Sequence, residues 1–115
     1  MPALGRHLLA ELKTCEASRL ADLPLVQEAM VQAARVSGAT VVTQSFHHFA
    51  PLGISGVVVV AESHLAIHTW PEHCFAAVDY FTCGKGVDPL AAIHHLRLAL
   101  GAQEWSLREI PRGEL

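Results

Sequence analysis

The sequence predicts an α+β fold, a two-layer sandwich with two helices packed on one face of an antiparallel sheet. Three observations carry it. Segments rich in β-branched and aromatic residues, or alternating apolar with polar, recur through most of the chain. Two other stretches shift to helical spacing behind an Asp close to a Pro, and the order runs strand, helix, several strands, helix, strand. At 115 residues, 51% of them hydrophobic, the chain fits one domain, 1–115, with a single core.

Leu4 to Thr14 reads as the first strand, with Leu8, Ala10 and Leu12 toward one side and His7, Leu9 and Glu11 toward the other. Asp22 is a good N-cap and Pro24 falls in the first turn, where its missing N–H costs little. Leu23, Val26, Met30, Ala33 and Ala34 then recur at helical spacing until Gly38 ends the helix. From Thr40-Val41-Val42-Thr43 to Phe46-His47-His48-Phe49 the β-branched and aromatic content rises, and Pro51 and Gly53 force a turn. Ile54 to Ala61 is the next strand, Glu62-Ser63 the tip of a hairpin, and His64 to Thr69 its return, broken by Pro71. Phe75 to Cys83 follows, ending at Gly84 and Gly86. Asp88-Pro89 opens a second helix through Ile93, Leu96 and Ala99 to Gly101, and Glu104 to Ile110 is read as the last strand. The consecutive strands are expected to pair as a meander, with no internal repeat, low-complexity tract or linker.

Composition excludes several functions. The formal net charge is −3 and Lys and Arg form no cluster, so a nucleic-acid footprint is missing. No segment reaches the roughly 20 apolar residues that span a bilayer, and the N-terminus carries no signal-like apolar core, so a cytoplasmic protein without membrane partners is expected. Cys15, Cys74 and Cys83 are an odd set without CxxC spacing, which points to thiols rather than a disulfide framework. A charged fraction of only 17% is consistent with self-association.

The chemistry centres on Glu62-Ser63. Attack of the Ser63 hydroxyl on the Glu62 carbonyl would turn the peptide bond into an ester. Elimination would then release the upstream chain and leave dehydroalanine, which hydrolyses to a pyruvoyl group. Such self-cleavage needs a strained or exposed turn, a group that moves the serine proton, and a donor for the tetrahedral intermediate. His68 and Ser55 are near in sequence. The product ketone can form a Schiff base with a substrate amine and draw electrons as a carboxylate leaves, doing the work of PLP without an added cofactor. Most Glu-Ser pairs in turns are inert, so the pair alone does not decide the matter.

The surrounding blocks are more specific. Leu4-Gly5-Arg6-His7, Ser37-Gly38-Ala39-Thr40, Phe46-His47 and Ser55-Gly56-Val57-Val58-Val59 are followed by Glu62-Ser63-His64-Leu65, Ile67-His68-Thr69-Trp70-Pro71-Glu72, and Asp79 with Phe81-Thr82-Cys83-Gly84. Together they resemble the small prokaryotic S-adenosylmethionine decarboxylase proenzymes, from about Leu4 to Leu100. The resemblance implies an α/β sandwich, a homodimer, and self-cleavage into chains 1–62 and 63–115. It also implies a pyruvoyl group from Ser63, no metal, and decarboxylation of S-adenosylmethionine to the aminopropyl donor of spermidine biosynthesis.

Carried over, Ser63 is the pyruvoyl precursor and Glu62 the new C-terminus. His68 moves protons in processing, and Ser55 stabilises the ester-forming intermediate. Cys83 is the proton donor in turnover, a role suited to a thiol with an ordinary pKa of about 8.5, which stays protonated near neutrality. Phe49 matches a ring stacked on adenine and Glu72 a carboxylate for the ribose hydroxyls; Trp70 or Phe49 could also face the sulfonium cation. Without the resemblance, Phe49 and Trp70 read as core or interface aromatics, and Cys83 as a small buried residue.

Rival readings come from other classes. His64 and His68 share a strand face and, with His47, His48 or His73, could form a metal site in a His-rich binding protein. A pyruvoyl-dependent arginine or ornithine decarboxylase would share the chemistry, and a non-cleaving homologue would have lost it.

Overall fold

Alternation of apolar and polar residues does most of the folding work. In the computed structural model, which describes residues 3–83 and 85–114, it yields six strands in one antiparallel sheet. These are β1 (Ala3–Lys13), β2 (Val41–His48), β3 (Ile54–Val60), β4 (Ser63–Trp70), β5 (Phe75–Thr82) and β6 (Glu104–Glu114). Their order is β2-β3-β4-β5-β1-β6, so the expected meander holds from β2 to β5 and β1 inserts between β5 and β6. A one-turn helix α1 (Ala17–Leu20) precedes the two main helices, α2 (Leu23–Val36) and α3 (Pro89–Ala99). The strand end expected at Gly84 lies outside the described residues.

Helix starts follow their caps. Asp22 Oδ1 accepts the Leu25 N–H at 3.2 Å, and Asp88 Oδ1 accepts the Ala91 N–H at 3.3 Å. Each satisfies one donor that the first turn leaves unpaired. Helix α1 has no such side-chain cap at Glu16 and is held instead by burial of Leu20.

One face of the sheet packs against the helices. Leu8, Ala10 and Leu12, Val58 and Val60, Leu65 and Ile67, and Val78 and Tyr80 are buried with Val26, Met30, Ala33, Ile93 and Leu96. Each fully buried large aliphatic contributes roughly 1.5–3 kcal/mol of transfer free energy. Thr69, Ser37 and Tyr80 in this layer are paired. Thr69 Oγ1 donates to the Leu20 carbonyl and accepts the Ile54 N–H, both at 2.9 Å, tying α1, β3 and β4 together. Ser37 Oγ donates to the Ala34 carbonyl at 2.6 Å, which leaves Tyr80 to donate its hydroxyl to Ser37 at 2.8 Å. Burial pushes the Tyr80 pKa up, opposed by that bond. Gly56 in β3 is covered by the Phe46 ring from β2, leaving no room for a side chain.

The opposite face has the other parity: His7 and Leu9, Ser55, Val57 and Val59, His64, Ala66 and His68, and Ala77, Asp79 and Phe81. None of these is fully buried, although many are apolar. None of the described helices is long and apolar enough to cross a membrane.

Candidate active site

The β3–β4 connection is as short as a hairpin permits. Val60 pairs with Ser63, leaving Ala61 and Glu62 as the loop. Glu62 adopts φ 62°, a left-handed conformation that costs a non-glycine residue roughly 1 kcal/mol. Strand alternation puts the Ser63 side chain on the side of Leu65 and Ile67. Its hydroxyl is shielded from solvent and has no hydrogen-bond partner among the described residues. Ser63 pairs with Thr82 across β4 and β5, which brings the next residue, Cys83, to the tip. The Cys83 thiol donates to the Glu62 carbonyl oxygen at 2.8 Å. The bond after Glu62 therefore has a strained residue, an adjacent unpaired hydroxyl and a donor on its carbonyl.

Ser55 and His68 face each other across β3 and β4, with Ser55 Oγ 2.8 Å from His68 Nδ1. Together with Phe49, Trp70 and Glu72 they line a cavity of about 270 Å³ beside the 49–53 loop. The Trp70 and Phe75 ring centroids lie 5.5 Å apart, and Phe49 is half-exposed with His47 edge-on at 4.5 Å. Glu72 projects from a one-turn 3₁₀ segment, Pro71–His73.

These two groups are not together in one chain. The Ser55–His68 pair lies five residues along both strands from the Val60–Ser63 pair. At about 3.3 Å per residue, that is roughly 16 Å. Closeness in sequence is undone by the extended backbone.

The histidines separate as well. His64 and His68 share the uncovered face, but His68 pairs with Ser55, whereas His64 Nε2 lies 3.0 Å from Asp79 Oδ2. His7 Nε2 reaches the same oxygen at 2.8 Å. Among the described residues, the group able to offer three ligand atoms within 4.8 Å is His7, His64 and Asp79, without His47, His48 or His73. Arg112 Nη1 donates to His7 Nδ1 at 3.0 Å. The Phe81 ring lies edge-on to His7 at 5.5 Å and stacked on His64 at 5.9 Å. This cluster escaped the sequence reading, although its members sit in the blocks at Arg6-His7, Glu62-Ser63-His64 and Asp79-Tyr80-Phe81. Only strand register shows that they meet.

The thiols also differ. Burial, then the neighbouring Cys74, pushes Cys15 up to about 11, whereas Cys83 is exposed at the tip.

A sequence profile of the S-adenosylmethionine decarboxylase family matches residues 6–113. The chain belongs to the S-adenosylmethionine decarboxylase family. An S-adenosylmethionine decarboxylase proenzyme of Acidithiobacillus ferrooxidans is 50% identical over 115 residues, covering all of this chain and 86% of the relative. One from Thermotoga maritima is 53% identical over 113 residues, covering 98% of this chain and 87% of that one. The solved adenosylmethionine decarboxylase from Aquifex aeolicus superposes with a TM-score of 0.91 at 30% identity, over 100% of this chain and 95% of the other. The Trypanosoma brucei AdoMetDC-delta26 monomer shares the fold over 89% of this chain and 44% of its own, with a TM-score of 0.61 at 15% identity. The two-layer antiparallel sandwich is thus the architecture of the S-adenosylmethionine decarboxylase fold.

Proposed function

We propose that the chain is a proenzyme that cuts itself between Glu62 and Ser63, keeps both products, 1–62 and 63–115, and decarboxylates S-adenosylmethionine. The observation that carries this is the tip itself: Glu62 in a left-handed turn, its carbonyl held by the Cys83 thiol, and an unpaired Ser63 hydroxyl beside it. In the cut, Ser63 Oγ bonds to the Glu62 carbonyl carbon, the C–N bond breaks and the released amine takes a proton. Elimination of the Glu62 carboxylate leaves dehydroalanine, and water replaces its nitrogen as ammonia departs. The ketone then carried by residue 63 supplies an electron sink for loss of CO₂ from a bound amine. Cys83, a free thiol exposed at the tip, donates the proton that replaces the lost carboxylate.

Proton transfer in processing falls to the Ser55–His68 pair. Adenosine recognition falls to Phe49 and Glu72, with Trp70 or Phe49 facing the sulfonium, since these residues share one cavity. Because this group stands roughly 16 Å from Ser63 within a chain, we assign the complete site to a homodimer. The uncovered, partly apolar sheet face of one copy packs on that of another, bringing the tip of each to the Ser55–His68 end of its partner. Three free thiols fit a cytoplasmic protein.

Intact mass after expression tests the cut. Two fragments meeting at Glu62 and Ser63, the second starting with a ketone, are expected. A single uncut chain overturns the proposal. For substrate, CO₂ release from S-adenosylmethionine is compared with that from arginine and ornithine, and release from either amino acid alone refutes the assignment.

A further inference from the structure

The cut at Glu62 turns residue 63 from the middle of a tight hairpin into a chain terminus, and termini fray unless tied down. Beyond the strand pairing of Ser63 with Thr82, the side chain of the next residue ties it. His64 Nε2 donates to Asp79 Oδ2 at 3.0 Å, and its ring stacks on Phe81, which precedes Cys83 by two residues. Asp79 Oδ2 is also the acceptor for His7 Nε2 at 2.8 Å, so one carboxylate oxygen joins β1, β4 and β5.

The proton positions in this array follow from its partners. Arg112 has only donors, so His7 Nδ1, 3.0 Å from its guanidinium, accepts. His7 is then neutral at Nδ1 and carries its hydrogen on Nε2, aimed at Asp79. A divalent cation would need the Nε2 lone pairs of both rings, and at His7 the Arg112 contact assigns that position to a proton. The group is therefore built as a hydrogen-bonded clamp rather than a metal site.

We propose that Asp79, gripping His64 and His7 together under Arg112, is a positioning residue that holds the start of the downstream chain so that the reactive group at residue 63 stays opposite the Cys83 thiol. This rests on the reading of Ser63 as the processed residue. Asp79 hydrogen-bonds to His7 and His64 rather than to Ser63 or Cys83. It acts through His64, which adjoins Ser63, and through the cluster around Phe81, two residues before Cys83. A misplacement of about 1 Å at a reacting centre can cost on the order of a hundredfold in rate.

The test uses cleaved enzyme, with ketone content measured first by intact mass and hydrazine titration. An uncut native chain refutes the underlying reading, whereas a cut, ketone-bearing chain puts the clamp itself on trial. Asp79→Asn and His64→Leu are expected to lower kcat per ketone for S-adenosylmethionine about tenfold or more, with KM changing less than about twofold. His64→Gln, whose amide nitrogen can still reach Asp79, is expected to stay within about threefold of native. Native kcat per ketone in His64→Leu overturns the proposal. So does equal loss in His64→Gln and His64→Leu, because the ring would then act directly. Should Asp79→Asn fail to fold, the two His64 variants decide alone, since that side chain is 40% exposed.

Discussion

The Cys83 thiol donates to the carbonyl oxygen of Glu62 across 2.8 Å, linking the residue assigned to turnover with the bond assigned to be cut. A donor on that oxygen stabilises the negative charge that would develop if Ser63 attacks, so Cys83 is expected to serve processing as well. Cys83→Ala is expected to slow cleavage about tenfold or more, and Cys83→Ser, which keeps a donor, to slow it less. The fraction cut over time, read on denaturing gels, checks this. Equal cleavage in all three proteins would limit Cys83 to turnover.

If Ser55 and His68 act on the tip of a second copy, damage to the two halves complements. Ser63→Ala and His68→Ala are each expected to be inactive when expressed alone. Co-expressed, they form mixed dimers in which one of the two sites has both residues intact. Random pairing then restores about a quarter of native activity. Absence of any recovery, with mixed dimers demonstrated by mass, would place His68 in the service of its own chain.

Thr69 holds α1 onto the sheet. Thr69→Val keeps the volume but leaves the Leu20 carbonyl and Ile54 N–H unpaired in a buried place. At roughly 1–3 kcal/mol for each of the two orphaned groups, a loss of about 2–6 kcal/mol is expected in urea unfolding of the uncut Ser63→Ala protein. Because Ile54 precedes Ser55, the cavity near Phe49 should loosen too.

Cys15 sets an alkaline limit. Its folded pKa, raised to about 11 from 9.0, means the folded state keeps a proton that the unfolded chain releases. Stability from this group is complete below about pH 9 and is lost as pH rises toward 11, by at most about 3 kcal/mol. Cys15→Ala is expected to flatten the fall in unfolding free energy between pH 9 and pH 11. An unchanged slope would assign that fall to other groups.

Much of the fold was legible because it is local. The alternation at Leu8, Ala10 and Leu12 and the Asp22 and Asp88 caps are short-range signals, and they appear where expected. Helix α1 was not legible, since a single buried Leu20 and an uncapped Glu16 leave no periodic trace. Strand β6 runs past Ile110 to Glu114 because it is an edge: Pro111 pairs with Arg6 while offering no N–H, which an edge tolerates. The tip residues could be found from the motif, as Ser63 and Cys83 are brought together by simple pairing of Ser63 with Thr82. The distance from Ser63 to His68 and the meeting of His7 with Asp79 depend on the register of strands far apart in sequence, which no local pattern encodes.

The sheet order has a last consequence for a chain severed after Glu62. The upstream piece owns β1, β2 and β3 and the downstream piece β4, β5 and β6, yet β1 lies between β5 and β6, and β4 between β3 and β5. The pieces are interleaved, so cutting frees no module, and each fragment keeps only a two-stranded hairpin, β2–β3 or β4–β5, of the six-stranded sheet. The precursor folds as one molecule, but once severed and unfolded it must reassemble as two. A cut at that bond would thereby convert a first-order folding reaction into a second-order one, and recovery from denaturant would become dependent on protein concentration.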